Sequence, residues 1–277
     1  MTPLPRIAAV AGQEFRIARR NRWAMLATLL MTVFSLSLAL FAIGQEGQTR
    51  ADTLTLTAAS LATLAVYLIP LLALLVSYDS LAGEIDRGTL ALTLATPLNR
   101  AELFLGKLVA HCLVIGLANL TAFAAAVLLI AAATEVTAAG LLAWLRLGLT
   151  SFGLGAVFAA LGLLISVGAR RTGTAAALAV GLWLVFVVLY DVALLGAVIA
   201  AGESVFTSDI FPWLVLANPA DAFRLYNLIQ LDGAPVAGID GLARSLPVPA
   251  AAALVPLFLW AVAALAAGLV MIRRLVP

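Results

Sequence analysis

The sequence predicts an all-α polytopic membrane protein with six transmembrane helices. Three observations predict it. The chain is 64% hydrophobic and 11% charged, with a mean hydropathy of +1.12, whereas a soluble chain is about 25% charged. Six apolar runs approach the roughly 20 helical residues needed to cross about 30 Å of hydrocarbon. The basic residues are also shared unevenly between the loops. Six spans put both termini on one side, and that side carries twelve of the sixteen Lys and Arg residues. Such a bias marks the cytoplasmic face, so both termini are expected in the cytoplasm. The sequence pI near 9 reflects this polarity and is no sign of nucleic acid; the basic face instead meets anionic lipid headgroups. The spans use most of residues 1–277, which leaves one integral membrane domain.

The elements follow in order. From Arg6 to Arg22, Ile7, Val10, Ala11, Ile17 and Ala18 alternate with Arg16, Arg19 and Arg20, the pattern of an amphipathic interfacial helix. The first span, Trp23–Ile43, is too long for a signal-peptide core and is read as a retained anchor. The second, Leu56–Ser77, contains Pro70, which is expected to kink it. Residues 78–107 form a polar loop, and the third span follows at Leu108–Ala133. The fourth, Trp144–Val167, carries Ser151, Gly155, Ala159, Gly162 and Ser166, small residues that let helices approach closely within or between subunits. The fifth is Thr174–Leu195 and the sixth Val248–Met271. Between them lies an outer segment, 200–247. In it Asn218, Pro219 and Asp221 stand where an N-cap, N1 and N3 would. This segment is therefore expected to fold around a short helix, as a docking surface for an outer partner or as a lid on its own spans.

The chemistry open to the chain is narrow. The lone His111 and lone Cys112 are adjacent in a span, about 100° apart on a helix, and no metal site is expected. A disulfide framework is impossible and HExxH needs two histidines. Gly106-Lys107 lacks the upstream glycine of a P-loop. Asp191 is the clear candidate for a mid-membrane ion carrier, but it falls near the outer boundary, where pairing with an outer Arg is expected. The chain itself is not expected to be an enzyme. A stand-alone secondary transporter and a passive membrane anchor stand as alternatives.

The loop is the most informative stretch. Its charges are Asp79, Glu84, Asp86, Arg87, Arg100, Glu102 and Lys107. Leu81–Thr96 reads as a helix, Pro97-Leu98-Asn99 breaks it, and a new helix starts near Asn99. Leu90, Leu92 and Leu94 fit contact with a soluble partner better than a solvated connector. In Glu84-x-Asp86-x-Gly88-Thr89-Leu90, Thr96-Pro97-Leu98-Asn99-Arg100-x-Glu102 and Leu105-Gly106-Lys107, the chain resembles the ABC-2 type permease family. Asp86 replaces the family's usual second Glu. Gln13-Glu14-Phe15, Arg19-Arg20-Asn21-Arg22-Trp23 and the run from Asn218 to Leu225 resemble the branch that serves copper-site maturation of nitrous-oxide reductase. The resemblance implies an inner-membrane homodimer, a cytoplasmic ATPase that binds the ATP and Mg, and a periplasmic repeat protein. No cofactor is implied in this chain. Glu84, Asp86, Arg87, Gly88, Thr89 and Arg100 would couple to the ATPase. Asn218, Pro219, Asp221, Phe223 and Arg224 would meet the periplasmic partner.

Overall fold

A computed structural model describes residues 3–45, 52–202, 206–229 and 250–275. Its ordered elements are all helical. Helix α1 (Pro3–Ala18) precedes α2 (Arg22–Gly44). The elements α3 (Thr53–Ser77), α4 (Asp79–Asp86), α5 (Leu90–Leu94) and α6 (Arg100–Ala133) follow. Then come α7 (Ala138–Gly168), α8 (Thr172–Leu184), a π-helical turn (Val185–Leu189) and α9 (Tyr190–Ala201). A second π turn (Phe206–Ile210), α10 (Phe211–Ala217), α11 (Pro219–Ile229), a 3-10 turn (Ala250–Ala253) and α12 (Leu254–Arg274) complete the chain. Among the described residues, six helices are long and apolar enough to cross a membrane.

The helix ends are set by local chemistry. Asn21 accepts a bond from Trp23 N and separates α1 from α2. Asp52 caps α3 and also accepts the hydroxyl of Thr137, the cap of α7, at 2.9 Å. Asn99 and Glu102 form a reciprocal capping box at the start of α6, which satisfies donors that a helix leaves unpaired in its first turn. The third span therefore begins at Arg100, about two turns before its apolar run. The second continues past Ser77 through Tyr78 into α4.

Spans α3 and α7 form the axis of the bundle. Of their most apolar stretches 61% and 67% are buried, against 11–22% for α2, α8–α9 and α12. In lipid, apolar side chains gain little by leaving the solvent, so close backbone approach holds helices together. The small residues of α7 do this within the chain. A Cβ on Gly155 would lie 2.5 Å from Ile115 Cγ2 and 3.3 Å from Ile69 Cγ2, and one on Gly162 would strike Ser77. Ser166, the last of the row, accepts from both Leu81 N and Ala82 N at 2.8 Å. It thereby fixes the first turn of α4.

Helix α1 differs from a simple interfacial helix. It packs along the start of α6, where Gly106 leaves room for Val10 and the Ile7 carbonyl. On the opposite face, α10 and α11 fold back over the bundle, and α11 packs on α3, α7 and α12. The part of the outer segment expected at 230–247 lies outside the described residues.

Ile69 and Ile115 are fully buried and β-branched, so neither can turn away from an added methyl. Gly155→Ala is expected to cost about 1–3 kcal/mol by overpacking. Gly153→Ala, with nothing within 4 Å of its Cβ, should change stability by less than about 0.5 kcal/mol. Unfolding of the detergent-solubilised chain compares the two.

Candidate functional site: a clamped elbow between the second and third spans

The elbow is built by a sharp stop. Gly88 has φ +69, which glycine adopts without strain. Gly88 N donates to Ile85 O at 3.0 Å, and Thr89 N donates to Glu84 O at 2.8 Å. This is the double closure of a Schellman motif, and it gives Gly88-Thr89 a physical role. The helix expected over Leu81–Thr96 is thus two helices, α4 and α5, meeting at Gly88. Leu90 is buried beneath α5, whereas Leu92 is 72% exposed. Asp86, Arg87, Gly88 and Thr89 are exposed around it.

Beneath the elbow lies a buried ion cluster. Lys107, on α6, is 1% exposed. Its ammonium donates to Glu14 Oε2 at 2.9 Å, Glu84 Oε1 at 2.8 Å and Ser80 O at 3.0 Å. All three of its donors are thereby satisfied. Ser80 Oγ donates to the other Glu14 oxygen at 2.7 Å. One cation therefore joins α1, α4 and α6. Burial alone would raise the pKa of Glu14. Lys107 beside it, with the nearby His111 and hydrogen bonds from Lys107 and Ser80, outweighs that, and the carboxyl is held below its ordinary value.

The residues singled out in the loop divide between two tasks. Glu84 turns inward to Lys107. Asp86 Oδ2 accepts from Thr172 N at 3.2 Å, which ties the elbow to the first turn of α8. Arg100 Nη1 donates to Arg273 O at 2.8 Å, at the end of α12. Arg87 stays on the surface, 3.9 Å from Asp79. Sequence reasoning missed Glu14, Ser80, Ser166 and Lys107 as site residues. Lys107 was detectable: the third apolar span starts at Leu108, and a charge at that depth needs a partner.

The opposite face requires a correction. Asn218, Pro219, Asp221, Phe223 and Arg224 are all buried within the chain, Arg224 at 5% exposure and Phe223 at 0%. They are occupied inside the chain and offer no docking surface as placed. Arg224 contacts Asp191 through both terminal nitrogens at 3.1 and 3.2 Å, and Asp221 at 2.9 Å. Asn218 Nδ2 donates to Phe186 O at 2.6 Å, and its side-chain oxygen caps α11 at Ala220 N. Helix α11 and its cap bury these residues against α3, α7 and α12. Asp191 has its outer arginine. Among the described residues no group of three or more His, Cys, Asp or Glu could hold a metal.

Six spans, a charged elbow under the second and third, and a short helix running into the first span define a polytopic transport subunit. The sequence profile described as ABC-2 family transporter protein matches residues 8–274, and the chain belongs to that family. It is 41% identical over 273 residues to the probable ABC transporter permease protein NosY of Pseudomonas aeruginosa, covering 98% of this chain and 99% of that one. It is 38% identical over 268 residues to the protein of the same name from Stutzerimonas stutzeri, covering 96% and 97%. The chain is thus a multi-pass permease subunit of an ABC transporter.

Lys107→Met would leave two half-buried carboxylates without their shared cation, at an expected cost of up to about 3 kcal/mol. Adding Glu14→Gln and Glu84→Gln should recover much of that loss in the same unfolding assay. The depressed pKa of Glu14 sets the direction with pH. Its contribution is present above the ordinary value of 4.5 and is lost as pH falls through its lower folded value. Wild-type chain should therefore lose stability below about pH 4.5 more steeply than Glu14→Gln.

Proposed function

We propose that this chain couples ATP hydrolysis by a separate cytoplasmic ATPase to conformational change at the periplasmic face of a bacterial inner membrane. The observation that carries this reading is the elbow. Its tip exposes Arg87, Thr89 and Leu92, while its base is fixed through Lys107 to α1 and α6 and through Ser166 to α7. An exposed apolar knob ringed by charge suits a groove on a soluble partner. A push on the tip enters α4, which continues directly into the central span α3. The elbow therefore acts as a lever rather than a tether.

Membership of the family supports two permease copies working with two ATPase subunits. The names of the relatives support a role in copper-site maturation of nitrous-oxide reductase, with a NosF-like ATPase and a NosD-like periplasmic repeat protein as partners. The periplasmic contact is then made by surfaces other than the five buried lid residues. ATP and Mg belong to the partner. The ion-paired Asp191 weighs against a stand-alone ion-coupled carrier.

Arg87→Glu and Leu92→Asp test the coupling, because neither residue belongs to the buried cluster. Glu84 is a poorer probe, since its reversal would also break the Lys107 clamp. Co-reconstituted with the ATPase, each variant is expected to lower permease-dependent ATP hydrolysis about tenfold, equivalent to about 1.4 kcal/mol. Insertion and monodispersity should be unchanged. Full stimulation by both variants would sink the coupling assignment.

A further inference from the structure

Between α1, α2 and α6 lies a cavity of about 420 Å³ that belongs to neither the elbow nor the lid. Its walls include Phe15, Met25, Leu29, Val114 and Leu117, and its one charged wall residue is Arg19. The threonines that line it offer no spare donor. Thr28 bonds Ala24 O, Thr32 bonds Thr28 O and Thr121 bonds Ala118 O, at 2.8, 2.8 and 2.9 Å. The interior is therefore apolar in effect. Along α2 it reaches from Ala24 to Thr32, which at 1.5 Å per residue is about 12 Å toward the centre of the span.

Its mouth is the opposite. Arg16, Arg19, Arg20 and Arg22 crowd the junction of α1 and α2. Among the described residues none of the four forms an ion pair with an acid. Elsewhere on this face Arg6 pairs with Glu102, Arg87 with Asp79, and Lys107 with Glu14 and Glu84. Exposed arginines beside an apolar slot at the membrane boundary match one ligand chemistry, a phosphodiester anion joined to a hydrocarbon chain. Basic pockets between spans on the inner side bind such headgroups.

We propose that this slot binds an anionic phospholipid, with its phosphate on Arg19 among Arg16, Arg20 and Arg22 and one acyl chain between α2 and α6. The lipid would then fill the wedge between α1 and α2. Because α1 carries Glu14 to Lys107, the lipid would steady the helix that supports the elbow.

The test titrates the delipidated full-length chain with phosphatidylglycerol or phosphatidylcholine of matched acyl chains and reads retention by native mass spectrometry and thermal unfolding. Phosphatidylglycerol is expected to bind at least tenfold more tightly and to raise the melting temperature where phosphatidylcholine does not. The pair Arg19→Gln and Arg20→Gln should erase that preference. Thr28→Trp, which fills the slot, should lower phosphatidylglycerol retention about tenfold with the arginines intact. Leu149→Trp, on the exposed face of α7, should leave it unchanged. Equal binding of the two lipids by wild-type chain overturns the proposal without any variant. So does full retention by Thr28→Trp, or disulfide crosslinking of Met25→Cys to a second copy in phosphatidylglycerol vesicles, which would assign the slot to the dimer.

Discussion

A charge in a nonpolar interior is tolerable only when its hydrogen bonds and counter-charges are complete. Lys107, on α6, meets that condition with one carboxylate from α1 and a carboxylate and a backbone carbonyl from α4. The arrangement has no slack. If α4 moved away from α6 alone, Glu84 would lose its cation; if α1 lifted alone, Glu14 would. One cation therefore holds the three elements together, as the proposed lever requires.

The same chain treats its two faces differently. On the face with the termini, polar groups are divided between an internal clamp and an exposed tip, so a partner can engage the tip without disturbing the clamp. On the other face, the polar residues of α11 are turned inward. Arg224, Asn218 and Asn227 bond to α9, the π turn and α7 respectively. Among the described residues, α10 and α11 thus form a folded cap over the end of α3.

Much of this was legible in the sequence, for identifiable reasons. The six spans follow from hydropathy and length. The α11 start follows from Asn218-Pro219, and the start of α6 from the break at Pro97-Leu98-Asn99; the stop at Gly88-Thr89 was hidden within a run whose spacing looked helical throughout. Ser166 was visible as a small residue but not as a double acceptor, because its two donors are more than eighty residues away in sequence. Glu14 was equally hidden: an acid in a basic amphipathic stretch looks solvated until Gly106 brings α1 against α6. The outer residues were assigned outward because a capped, amphipathic helix fits a docking face and a lid equally well. Only the fold shows that both of its sides are covered.

The π turn at Val185–Leu189 has a consequence for aim. An inserted residue in a helix rotates everything after it by about 100°. The two residues that follow it are Tyr190, whose hydroxyl donates to Leu214 O at 2.6 Å, and Asp191, which receives Arg224. The irregularity therefore acts as a phase shifter: it swings a phenol and a carboxylate off the lipid side of the least buried span and points them at the cap.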